Sequence, residues 1–133
     1  MTDVQLWIKK CEALRLQMYT DTKGNPTVGW GRNMRKRISL DEAELMFQND
    51  FKEAVGELQP YEWYYLQPLG VKNALINMNF NLGINKLLGF KKMIAALTAK
   101  NYTLASIEAL NSLWATQVGD RAKDVAVMLR EGK

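Results

Sequence analysis

Two acids and a hydroxyl stand close together near the start of the chain: Glu12, Asp21 nine residues on, and Thr27 six residues after that. Such an arrangement fits glycoside hydrolysis. One protonated acid must reach the leaving oxygen, while a second carboxylate, on the other face of the sugar ring, activates water or attacks directly. A hydroxyl beside the second acid helps to hold that water. The intervening "DTKGNP" is rich in turn formers, and a tight hairpin places Thr27 opposite or nearly opposite Asp21. An aspartate entering a turn is most often only a turn former, so these three residues gain meaning from what surrounds them.

Composition narrows the chemistry in the same direction. The 133 residues include no histidine and one cysteine, Cys11. That removes Ser/His and Cys/His nucleophile systems, the commonest metal ligands and any intrachain disulfide, leaving carboxylates as the agents of acid and base chemistry. No metal or cofactor is expected. With 47% hydrophobic and 24% charged residues the chain suits one domain with a real core. A net charge of +4 suits an anionic partner, whether nucleic acid, a lipid surface or a wall polymer. The basic residues are scattered among acids rather than drawn into a stripe with interleaved aromatics, which argues against nucleic acid. "MTDVQLWIKKCEALRL" lacks the basic-then-apolar order of a signal peptide, and no run approaches ~18 apolar residues. A soluble chain made in the cytoplasm is expected, without stable membrane insertion and monomeric by default.

The elements that must position these residues are legible in outline. Thr2 to Gln5 has capping-box spacing, and Val4, Ile8, Cys11 and Leu14 recur at helical intervals, so 3–12 reads as a short amphipathic helix ending on Glu12. "LRLQMYT" (14–20) switches to period two, with Leu14, Leu16 and Met18 on one face, and a β-leaning "TVGWG" follows the turn: a hairpin. Ser39 to Glu42 is a second capping box, opening a helix to about Leu58 with a stripe of Ala43, Phe47, Phe51, Ala54, Val55 and Leu58. "QPYEWYYLQP" reads as a turn or kinked connection. The next segment, "LGVKNALINMNFNLG", is apolar on nearly every side, as a central core helix is, with Gly83 as its stop. Helices over roughly 86–99, 103–115 and 120–130 complete an α+β, mainly α chain. We expect one domain, 1–133, with a β lobe at about 13–38, a linking helix at 39–58, a helical lobe formed by 1–12 and 59–133, and a groove between the lobes.

"CEALRLQMYTDTKGNPTVGWGRN" resembles the phage-type lysozymes of glycoside hydrolase family 24, whose N-terminal signature runs Glu, Gly, Leu-Arg-Leu, Tyr, Asp, Gly, Thr, Gly-x-Gly. Glu12, Leu14, Arg15, Leu16, Tyr19, Asp21, Gly24, Thr27, Gly29 and Gly31 fall on it. Downstream, "ALINMNFNLG", "LLGFKKMIAALTAKNYTLASIEALNSLW" and "GDRAKDV" look like the helices of that family's T-even phage branch, and "SLDEAELMFQNDFKEAV" like the start of its linking helix.

The resemblance implies a lysozyme-like fold and a muramidase that cuts the β-1,4 bond between N-acetylmuramic acid and N-acetylglucosamine in peptidoglycan glycan strands. Glu12 is then the general acid, and Asp21 with Thr27 activates a water for single displacement with inversion. Arg121 matches the arginine that pairs with the catalytic glutamate. Where the family usually has histidine after Gly-x-Gly this chain has Arg32, so any carboxylate pairing there must differ. Asn81 stands where the T-even branch has glutamine, and "NMRKR" replaces that branch's long insertion, which trims the β lobe. Trp30, between Gly29 and Gly31, is a candidate to face the groove. The glycine pair does not extend to a dinucleotide loop, whose third glycine would be Met34. Trp7, Trp63 and Trp114 are expected in core or lobe packing, Cys11 as a small buried hydrophobe, and Asn77 and Asn81 need partners if buried. The resemblance further implies an endolysin made in the host cytoplasm, passed by a holin and acting in the periplasm on thin walls. The alternatives are a virion- or tail-associated lysozyme, and a catalytically silent wall-binding relative.

Overall fold

A computed structural model describes residues 1–133. The chain runs through helix α1 (Asp3–Glu12), strands β1 (Arg15–Thr20), β2 (Pro26–Gly29) and β3 (Arg32–Asn33), and helices α2 (Leu40–Leu58), α3 (Glu62–Tyr65), α4 (Leu69–Leu82), α5 (Ile84–Leu88), α6 (Lys91–Thr98), α7 (Tyr102–Leu110), α8 (Leu113–Val118) and α9 (Asp120–Glu131). The fold is α+β and mainly α. It divides into two compact units, Met1–Ala43 and Glu44–Lys133.

In the first unit both capping boxes form. Thr2 N–H donates to Gln5 Oε1 (2.7 Å) and Gln5 N–H to Thr2 Oγ1 (3.2 Å), which satisfies donors that the first turn of α1 cannot use internally. Ser39 N–H donates to Glu42 Oε1 (2.9 Å) and Glu42 N–H to Ser39 Oγ (3.1 Å), opening α2 in the same way. The three strands form one antiparallel sheet in the order β1-β2-β3, with an irregularity in β1 between Arg15 and Tyr19. Thr27 lies opposite Tyr19 in this register, and Asp21 is carried into the turn, its N–H donating to Asn25 O (2.9 Å). The expected Asp21–Thr27 pairing is therefore shifted by two residues: a turn that closes on Asn25 leaves the two as diagonal neighbours.

A second expectation fails in this unit. The apolar stripe of α1 and the apolar face of β1 are exposed, with Leu16 at 84% and Trp7 at 67% of full exposure, and Cys11 is exposed rather than buried. Thr27 is the unit's one buried residue. A unit of this size, with one short helix and strands of two to six residues, has too little volume to enclose a core of its own.

The second unit holds the core. Leu58, Val71, Leu75, Met78, Leu87, Met93, Leu97, Val125 and Leu129 are buried around α4, and α9 packs across α4 and α7. As expected, α4 ends at Gly83, whose N–H donates to Asn79 O (2.8 Å), and Trp63 and Trp114 pack in or against the core. Three details differ. The helix expected over 86–99 breaks at Gly89 and Phe90 into α5 and α6. That over 103–115 breaks where Ser112 turns extended and caps α8, its Oγ accepting from Ala115 N–H (3.1 Å). Of the α2 stripe only Ala54 and Leu58 are buried, while Phe47 and Phe51 stay partly exposed, with Phe47 against Phe80 (5.6 Å between centroids). No helix is long and apolar enough to cross a membrane.

Candidate active site

Glu12, Asp21 and Thr27 all belong to the first unit. Glu12 is the last residue of α1, and its exposed carboxyl lies against the backbone of Gly31 in the β2–β3 turn. A Cβ built on Gly31 would stand 2.8 Å from Glu12 Cδ and closer still to Oε2, so only glycine leaves room for the acid there. Gly31 also has φ +72°, a left-handed conformation that costs other residues roughly 1–2 kcal/mol. The turn's own tryptophan, Trp30, is 44% exposed, and Lys9 Nζ lies 3.8 Å over its ring centroid.

Asp21 is built into its turn by the backbone. Its Oδ1 accepts from Lys23 N–H (2.9 Å) and Asn25 N–H (2.8 Å), while Oδ2 receives only a long contact from Asn25 Nδ2 (3.4 Å). The Asn25 N–H bond, the largest influence, stabilises the ionised form and, with lesser help from Lys23 N–H and Asn25 Nδ2, outweighs desolvation, so the Asp21 pKa lies below the ordinary 3.8. Thr27, 3% exposed, donates its hydroxyl proton to Asn25 O (3.0 Å). Both of its oxygen lone pairs remain free to accept. Asn25 thus ties Asp21 to Thr27 by backbone and side chain alike, and its Oδ1 in turn accepts from Arg35 Nη1 (2.8 Å). The sequence offered only its turn-forming character as a signal for this role.

Arg32 does find a carboxylate, and it is Glu42 at the start of α2: Nη1 donates to Oε2 (2.5 Å) and Nη2 to Oε1 (3.1 Å), with a further bond from Nη2 to Arg37 O (3.2 Å). These bonds, with those from Ser39, hold the Glu42 pKa at about 2. A single carboxylate therefore caps α2 and braces β3 to it.

The remaining candidates lie in the second unit. Arg121 donates from Nε to Asn77 Oδ1 (2.7 Å) and from Nη2 to Asn77 O (3.2 Å), beside a cavity of about 350 Å³ lined also by Phe47, Phe51 and Phe80. Asn81, exposed on α4, accepts from Trp114 Nε1 (2.8 Å) at its Oδ1. The buried asparagine of α4 is instead Asn79, which donates to Ala54 O (2.8 Å) and Glu57 Oε1 (3.1 Å). No group of three or more Asp, Glu or Cys side chains could hold a metal ion.

Over residues 9–130 the sequence matches the family model described as Phage lysozyme. It is 28% identical to probable T4-type lysozyme 2 of Dictyostelium discoideum, covering 94% of this chain and 92% of that protein. It is 23% identical to probable T4-type lysozyme 1 of the same organism, covering 99% and 96%. The pre-baseplate central spike protein Gp5 of Enterobacteria phage T4 is 24% identical over 94% of this chain, which spans 27% of that longer protein.

Proposed function

The chain belongs to the phage lysozyme family and is a glycoside hydrolase; on that premise we propose that it cuts the N-acetylmuramic acid to N-acetylglucosamine β-1,4 bond of peptidoglycan by a single inverting displacement. Glu12 donates the proton that the leaving sugar oxygen takes as the glycosidic bond breaks. The nucleophile is a water that donates one hydrogen bond to Asp21 Oδ2 and the other to Thr27 Oγ1, which leaves an oxygen lone pair for the anomeric carbon. Asp21 takes the water's proton as the new bond forms, so the charge passes from one acid to the other.

The observation that carries this reading is the asymmetry of Asp21. Two backbone N–H groups occupy Oδ1 and hold the group ionised, while Oδ2 keeps its accepting capacity, one diagonal step from a buried threonine whose lone pairs are free. Arg121, held by Asn77, supplies fixed positive charge on the helical side of the chain.

In biological terms the protein is an endolysin that reaches the wall through a holin and opens Gram-negative cells. The likeness to a pre-baseplate central spike protein favours a second reading, in which the same chemistry serves a virion- or tail-associated lysozyme used at entry. Clearing of chloroform-treated Gram-negative cells by wild type, Glu12→Gln and Asp21→Asn tests the chemistry. Asp21→Asn keeps the acceptor for the turn, so it folds. Each variant should clear at least ~100-fold more slowly. Equal rates for all three would overturn the mechanism, and no clearing by wild type would overturn the substrate.

A further inference from the structure

We propose that Lys9 and Trp30 act together as a clamp that positions the Glu12 carboxyl, which makes both of them positioning residues for hydrolysis. The inference rests on Glu12 being the proton donor. Lys9 lies three residues before Glu12 on α1, so the two side chains are neighbours on the helix surface. Trp30 directly precedes Gly31, the residue against which the Glu12 carboxyl rests. The cation–π contact, at 3.8 Å from Lys9 Nζ to the ring centroid, therefore joins the two elements whose spacing sets where the acid sits.

Little else in this unit can do so. α1 contributes no buried residue, so packing does not fix its C-terminal end. Gly29 and Gly31 flank Trp30 without side chains, and the space beside Gly29 holds no atom within 4 Å of a Cβ position. Trp30 is thus the one side chain between Gly29 and Gly31, and its contact ties the turn to α1. Its partner is a cation on the turn of helix that bears the acid.

A clamp of this kind acts on the turnover step and not on sugar affinity. Lys9→Met, Trp30→Leu, the double variant and Lys9→Arg, assayed as full-length protein on soluble glycan strands, separate the possibilities. Lys9→Met and Trp30→Leu should each lower kcat about two- to fivefold, the factor an exposed cation–π contact supports, with KM unchanged. The double variant should fall no further than either single. Lys9→Arg, which keeps a cation over the ring, should retain wild-type kcat. Trp30→Leu leaves the Lys9 charge in place, so a matching loss in both singles separates clamping from electrostatics. Multiplying losses in the double variant would overturn the clamp, as would a loss carried by KM, which would make Trp30 a sugar platform. Glu12→Gln run alongside keeps the two ideas apart. An inactive Glu12→Gln with normal Lys9→Met and Trp30→Leu refutes the clamp alone, and an active Glu12→Gln refutes the premise.

Discussion

Gly31→Ala should separate stability from activity, because the added methyl does two distinct things. The first is local to the backbone: at φ +72° an L residue costs roughly 1–2 kcal/mol. The second concerns Glu12. The new Cβ would stand 2.8 Å from Cδ and 3.2 Å from Cγ, whereas non-bonded carbons settle at about 3.5–4.0 Å, so the carboxyl must retreat by about 1 Å. Glu12 is exposed and its far end is flexible, so the retreat adds little to the stability loss. A misplacement of that size costs a reacting group about 100-fold in rate. Gly29→Ala supplies the control. Its φ is the same +72°, yet nothing lies within 4 Å of its Cβ position. Urea unfolding followed by circular dichroism should therefore show similar losses in the two variants, while kcat on soluble glycan falls about 100-fold only in Gly31→Ala. Equal kcat in Gly31→Ala and Gly29→Ala would refute the placement of Glu12.

Glu42 titrates at about 2 when folded against an ordinary 4.5, so its ion pair with Arg32 stabilises the fold fully above pH 4.5 and is lost as the pH falls toward 2. Glu42→Gln should flatten the fall of the urea midpoint across that window, and an unchanged slope would contradict the assignment. The Asp21 pKa is held below 3.8, so the limb of kcat/KM that reports its ionisation lies below pH 3.8; an acid limb above pH 5 that Asp21 controls would exclude its role as the ionised partner. Ala13, directly after Glu12, has φ 59° and ψ 151°, a region that only glycine enters without strain. Ala13→Gly should raise stability by about 1 kcal/mol in thermal unfolding, the strain relieved less the added freedom of the unfolded glycine.

Signals that act within a few residues were legible in the sequence. The capping boxes at Thr2 and Ser39, the end of α1 at Glu12, the hairpin and the Gly83 stop all follow from local donors, acceptors and backbone preferences. Helical and strand periodicity named which side chains share a face, but not whether a partner covers them, so Val4, Ile8 and Leu16 are exposed where packing was expected. Register depended on where the turn closes. Asn25, not Thr27, faces Asp21, because the aspartate carboxylate draws in the backbone N–H groups of Lys23 and Asn25. The partner of Arg32 was hidden because Glu42, ten residues away, was already accounted for as a helix cap. Breaks at Phe90 and Ser112 escaped a periodicity that continues through them. At the site, residue types and spacing offered Glu12 and Asp21 only as candidates among many acids, and the family resemblance singled them out, whereas Asn25, which joins Asp21 to Thr27, had looked like one more turn residue.

The most direct test is the anomeric configuration of the sugar first released from soluble glycan strands, read by proton NMR before mutarotation. Attack by a water held on Asp21 and Thr27 yields the α-anomer of N-acetylmuramic acid at the new reducing end. A β-anomer as first product would mean a covalent or otherwise retaining route, and would contradict the assignment of Asp21.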